Sequence, residues 1–156
     1  MKWNRRPVED IRTMEKLFTV AEEEAALTGE TRPGAEYLVT SSLQLSEGSA
    51  RRSFERIGAD PDAFRDAVMG QYEDAPVSTD TTSNSPMRYG ASGRDLFQEV
   101  VNLVREEKSQ IYGAYIVLVA AQIEHGETPN VLKQMGVDRH ELASAARTEL
   151  DTLNET

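Results

Sequence analysis

The 156-residue chain contains no cysteine and few aromatic residues, 6% in all with a single tryptophan. Without a thiol there is no disulfide, no thiolate nucleophile and no cysteine-ligated metal, and the absence agrees with a reducing compartment. Long apolar runs are missing as well. The most apolar stretch, 111–123, is too short to span a bilayer and is interrupted by Gly113 and Gln122. The start, MKWNRRPVEDIR, is basic but lacks the apolar segment of a signal peptide. A basic excess is also absent: 17 Lys and Arg stand against 27 Asp and Glu, for a formal charge of −10. Nucleic acid and anionic membrane surfaces, both polyanions, are therefore disfavoured as partners, and cationic partners are favoured. A soluble cytoplasmic protein is expected.

The residues of catalysis and metal binding are equally sparse. The two histidines, His125 and His140, stand in no metal-ligand spacing, so no metal and no cofactor are expected. There is no Gly-x-Ser-x-Gly elbow and no Gly-x-x-x-x-Gly-Lys-Ser/Thr phosphate loop. The chain is not expected to be an enzyme. Gly90-Ala91-Ser92-Gly93 is a weak candidate for an anion site, with Ser92 as a helix cap the simpler reading. Trp3, beside Lys2, Arg5 and Arg6, either anchors a partner or packs on the domain.

What is present is a repeat. PGAEYLVTSSLQLSEGSARRSFERIG, from Pro33 to Gly58, returns in degenerate form about 78 residues later as YGAYIVLVAAQIEHGETPNVLKQMG, ending at Gly136. In each copy Gly-Ala opens an apolar run, a Glu-Gly or His-Gly pair breaks it, and a short segment closes on Ile-Gly or Met-Gly. One supersecondary unit is used twice.

Helical spacing runs throughout. Pro7 at a first turn leads Val8, Ile11, Met14, Leu17, Phe18, Ala21 and Ala25 until Gly29 offers a stop, with Glu22, Glu23 and Glu24 read as the solvated face. Two short helices follow, one from Ala35 to Leu45 with a polar Thr-Ser-Ser centre and one from Ser49 to Ile57. Asp60-Pro61 caps a fourth. EDAPVSTDTTSNSPMR, rich in Ser, Thr, Asp and Pro, reads as a connector. The second unit has a long helix from near Ser92, a buried helix within 111–123, a short one launched by Thr128-Pro129, and a last one opened by Asp138 and Glu141 in a capping-box pattern. The expected architecture is all-α: one domain over 1–156, with repeat one at about 8–72, a linker at about 73–88 and repeat two at about 89–153.

In order and spacing these landmarks resemble the double-repeat N-terminal domain of Clp-type ATPase unfoldases. The resembling residues are Gly34-Ala35-Glu36-Tyr37-Leu38-Val39, Ser46-Glu47-Gly48 and Arg56-Ile57-Gly58, then Gly113-Ala114-Tyr115-Ile116-Val117-Leu118, Glu124-His125-Gly126 and Gln134-Met135-Gly136. The resemblance covers roughly Val8 to Leu150; with no phosphate loop present, it implies either a free-standing Clp N-domain without ATPase modules or an N-domain cut from a longer ATPase. It implies binding of unfolded or arginine-phosphorylated substrates, Clp adaptors or peptide-like small molecules, by a monomer. In branches that hold phosphoarginine, the Glu of each repeat motif grips the guanidinium. Here Glu36 matches that Glu, while its second-copy counterpart is Tyr115, so the second pocket is expected to be lost. The assisting threonine falls at or near Ile11, with Thr13 close by, and its counterpart near Gly90. For Glu36 the competing role is a carboxylate stabilised by the helix dipole in a first turn. The expected surface is the seam between the repeats, where Glu36, Tyr37, Tyr112 and Tyr115 offer aromatic anchors beside a carboxylate. The alternative is a helical regulatory or scaffold protein that kept the fold and lost peptide binding.

Overall fold

In a computed structural model, residues 7–27, 34–73, 93–124 and 126–155 are described. Eight helices follow in order: α1 Pro7–Leu27, α2 Ala35–Ser42, α3 Ser49–Arg56, α4 Pro61–Glu73, α5 Gly93–Glu107, α6 Gly113–Ala121, α7 Glu127–Gln134 and α8 Arg139–Asn154. The described residues contain no β-strand. Helices α1–α4 and α5–α8 are two four-helix repeats, and residues 74–88 of the expected linker lie outside the described set, as do Trp3, Gly90 and His125.

Each repeat ends its third helix in the same way. The N–H of Gly58 donates to the Glu55 carbonyl and that of Ala59 to the Phe54 carbonyl, while Gly136 and Val137 donate to Lys133 and Leu132. This is the paired 5→2 and 6→1 closure of a helix end, and it requires a left-handed residue after the last turn. Gly58 and Gly136 supply it, both at φ 73°. The Ile-Gly and Met-Gly landmarks are thus backbone requirements, legible because glycine meets them at least cost. Asp60 accepts from the N–H of Asp62 at 2.9 Å, and Asp138 accepts from those of His140 and Glu141, so both expected caps are made. Helix α7 differs: it starts at Glu127 with Gly126 as the cap residue. Thr128 is buried rather than capping, and Pro129 falls in the first turn, where a missing N–H leaves no bond unmade.

The core lies between the repeats. Every residue of α2 is buried, and so is every residue of α6 except Val119, which is half-buried. The two helices pack against each other, with α1, α5 and α8 around them. The hydroxyls of α2 survive burial by bonding to carbonyls: Thr40 donates to Tyr37, Ser42 to Val39, and Ser41 across to Leu17 of α1 at 2.7 Å. Phe54 and Phe64 meet at 5.6 Å between centroids, and Phe18 meets Phe97 edge-on at 5.1 Å. One expectation fails on α1. Glu24 is only 4% exposed; it accepts from Gln44 at 2.8 Å and pairs with Arg65 of α4 at 3.3 Å. Helical spacing puts it on the stripe of Leu17, Ala21 and Ala25, so it is a buried carboxylate held by partners rather than part of a solvated face.

Candidate functional site

A cleft of about 290 Å³ opens at the seam between the repeats. Helix α1 contributes Asp10, Arg12 and Thr13, and the α2–α3 break contributes Ser46 and Glu47. The α5–α6 connection closes the far side with Gln110, Ile111 and Tyr112. Of the six residues expected at a binding site, Thr13 and Tyr112 are brought together here.

The walls are fixed by bonds across the seam. Asp10, 4% exposed, accepts from the Ile111 N–H at 3.0 Å. Glu47 accepts from the Gly113 N–H at 2.8 Å, and also from the N–H and hydroxyl of its neighbour Ser49. The Ser49 oxygen in turn accepts from the Ala114 N–H at 2.9 Å. No side chain of its own caps α6, so first-repeat groups satisfy its first amides. Gly113 permits the approach: a β-carbon there would stand 2.9 Å from the Ala50 side chain and 3.2 Å from the Ser42 carbonyl. Tyr112 lies on the wall with its ring parallel to that of Tyr115, centroids 6.5 Å apart, and its hydroxyl donates to Gln110 at 3.1 Å.

The other four expected residues lie elsewhere. Tyr37 and Tyr115 are 0% exposed. As surface anchors they are corrected to core residues, because α2 on all sides and α6 on all but the Val119 side are buried against the neighbouring helices. Tyr115 completes an internal network: its hydroxyl donates to Glu107 at 3.0 Å and accepts from Asn154 at 3.2 Å, while Arg147 grips Glu107 with two bonds of 2.9 Å. Burial, chiefly, pushes the Tyr115 phenol up to about 12, and the Glu107 carboxylate beside it adds to that. Burial raises Glu107, but bonds from Arg147 and Tyr115 outweigh it, and the carboxyl lies below its ordinary value. Glu36 is 1% exposed, with its carboxylate folded back 2.7 Å from where a β-carbon of Gly34 would stand. That places negative charge at the N-terminus of α2, as the first-turn role requires. Ile11 is 52% exposed on α1 and does not line the cleft.

Sequence reasoning missed Asp10, Arg12, Ser46, Glu47, Gln110 and Ile111. The polar run Ser46-Glu47-Gly48-Ser49 carried a signal, since such residues seek nearby backbone amides. Their target, half the chain away, was not readable.

The N-terminal domain of the caseinolytic protease associated chaperone ClpD from Arabidopsis thaliana superposes with a TM-score of 0.62 at 22% identity, covering 88% of this chain and 94% of that one. The chain has the Clp N-domain fold. No protein-family model matches the sequence, and comparison with curated proteins finds no match. Eight helices in two repeats of four are the architecture expected of a Clp N-domain. Among the described residues, no group of three or more metal-ligating side chains is gathered, and no helix is long and apolar enough to cross a membrane.

Proposed function

We propose that the chain is a non-enzymatic recognition module that binds protein or peptide segments in the seam cleft, with Thr13 and Tyr112 in its walls. The observation that carries this reading is an open cleft of about 290 Å³ where the two repeats of a Clp N-domain fold meet. Its lining supports peptide capture: Tyr112 supplies an aromatic face, and Arg12, Thr13 and Ser46 offer polar groups. The partners are unfolded or arginine-phosphorylated substrates, Clp adaptors or peptide-like small molecules, met in the cytoplasm by a monomer that regulates Clp proteolysis or acts as a decoy. Glu36 then serves the fold rather than the ligand, and a phosphoarginine, if it is the ligand, is held in the cleft.

Calorimetric titration tests this with an arginine-phosphorylated peptide, its unphosphorylated twin and an unfolded polypeptide. Binding near one site per chain to at least one of them is expected, weakened about tenfold by Tyr112→Ala, the size of loss that a centrally placed aromatic contact of about 1.4 kcal/mol carries. The second reading, a helical scaffold or regulator that lost peptide binding, is favoured by the burial of Tyr37, Tyr115 and Glu36. Absence of binding to all three probes would select it.

A further inference from the structure

The two pseudo-equivalent helix starts, α2 and α6, both have a carboxylate at the opening glycine, but from different sources. At Gly34 it is Glu36, two residues along the same helix, with its oxygens 2.7 Å from the position of a β-carbon. At Gly113 the position two residues along is Tyr115, a core phenol with no charge to give. The carboxylate there is Glu47 of the other repeat, with an oxygen 3.1 Å from the same reference position and 2.8 Å from the Gly113 nitrogen. Glu36 is buried, whereas Glu47 is half-buried and lines the cleft. The residue that replaces the missing carboxylate therefore also faces the space where a ligand would sit.

We infer that Glu47 is the positioning residue of the seam cleft, acting in trans to fix the wall formed by Gln110, Ile111 and Tyr112. Gly113 directly follows Tyr112, so the bond from its N–H to Glu47 sets where the Tyr112 ring stands relative to Thr13 on α1. Ser49, held by Glu47, secures Ala114 in the same way. Asp10 secures Ile111. The cleft takes its shape only when the repeats are docked, and recognition depends on both repeats although every polar side chain of the clamp comes from the first. The inference rests on the cleft being the recognition surface, but the geometry of the clamp is open to its own test.

The experiment uses the full chain with Glu47→Ala and Glu47→Gln, and with Glu55→Ala, an exposed change on the adjoining helix α3, as control. Two readouts are taken: amide hydrogen exchange resolved over 109–118, and anisotropy of a fluorescent, reduced and carboxymethylated unfolded polypeptide. For Glu47→Ala, exchange at Gly113 and Ala114 should accelerate at least tenfold while α8 and α3 beyond its first residue keep their protection, and probe affinity should fall about tenfold. Glu47→Gln, which keeps an acceptor oxygen, should restore part of both. Uniform acceleration through the molecule, or local loosening with unchanged affinity, would overturn the positioning role. If the unaltered chain fails to bind the probe, capture of unfolded polypeptide in the cleft fails, while unchanged exchange at Gly113 and Ala114 refutes the clamp by itself.

Discussion

The Tyr115 hydroxyl is the group whose ionisation the fold opposes most clearly. Its phenol is raised from 10 to about 12 by burial and by Glu107. A group raised in the folded state contributes its full stabilisation below the unfolded value, and that contribution fades as pH climbs from 10 towards 12. That contribution is about 3 kcal/mol. Urea unfolding should show stability falling above pH 10, and absorbance titration should lose a late alkaline step in Tyr115→Phe. An alkaline titration unchanged by that substitution above 10 would refute this. Gly113 is the second decisive position. An alanine there would press on Ala50, Glu47 and the Ser42 carbonyl, two of which cannot swing away. Gly113→Ala should cost about 1–3 kcal/mol in chemical denaturation, the usual range for overpacking. A neutral result would mean that the seam is looser than its distances imply. Both positions also show the reach of sequence reading. The glycine was visible as a landmark, but the reason for it was not, because Ala50 and Glu47 meet it only across the seam.

At the scale of elements, α8 is fastened to both repeats by charge. Glu149 accepts from Arg52 at 2.6 Å and also from Arg56, both on α3, while Arg147 holds Glu107 of α5. Burial raises the Glu149 carboxyl and bonds from Arg52 and Arg56 bring it below its ordinary 4.5; Glu107 is lowered in the same sense. Carboxyls lowered by folding stabilise above their unfolded value, and that stabilisation is lost as pH falls through the folded one. Unfolding free energy should therefore hold above about pH 5 and decline below 4.5, and Glu149→Gln should flatten the decline. An unchanged acid profile in that variant would show that the pairing with α3 contributes little, the desolvation of buried Glu149 offsetting its attraction to the arginines. Helix existence, order and most ends were legible because periodicity, caps and glycine stops are local. Burial of polar groups was not. Glu24 looked solvated beside Glu22 and Glu23, yet its angular position on α1, with Gln44 and Arg65 waiting, decides otherwise.

For the whole molecule, duplication explains both the fold and the location of the cleft. Two copies of a unit whose second helix is apolar bury those helices against each other, and the breaks and connections that flank them meet at the seam. The repeat was readable from one sequence. Which side chains line the cleft was readable only for Thr13 and Tyr112: Tyr37 and Tyr115 went into the core, and the rest of the lining comes from α1 and from breaks and connections with no pattern of their own.

The most direct test of recognition through this cleft is calorimetric titration of an unfolded polypeptide into the unaltered chain, Tyr112→Ala and Glu36→Ala, with thermal melts alongside. A cleft-based site predicts that Tyr112→Ala loses about tenfold in affinity with little change in melting. Glu36→Ala should melt earlier yet bind as before where folded. Loss of binding in Glu36→Ala with full binding in Tyr112→Ala would contradict it.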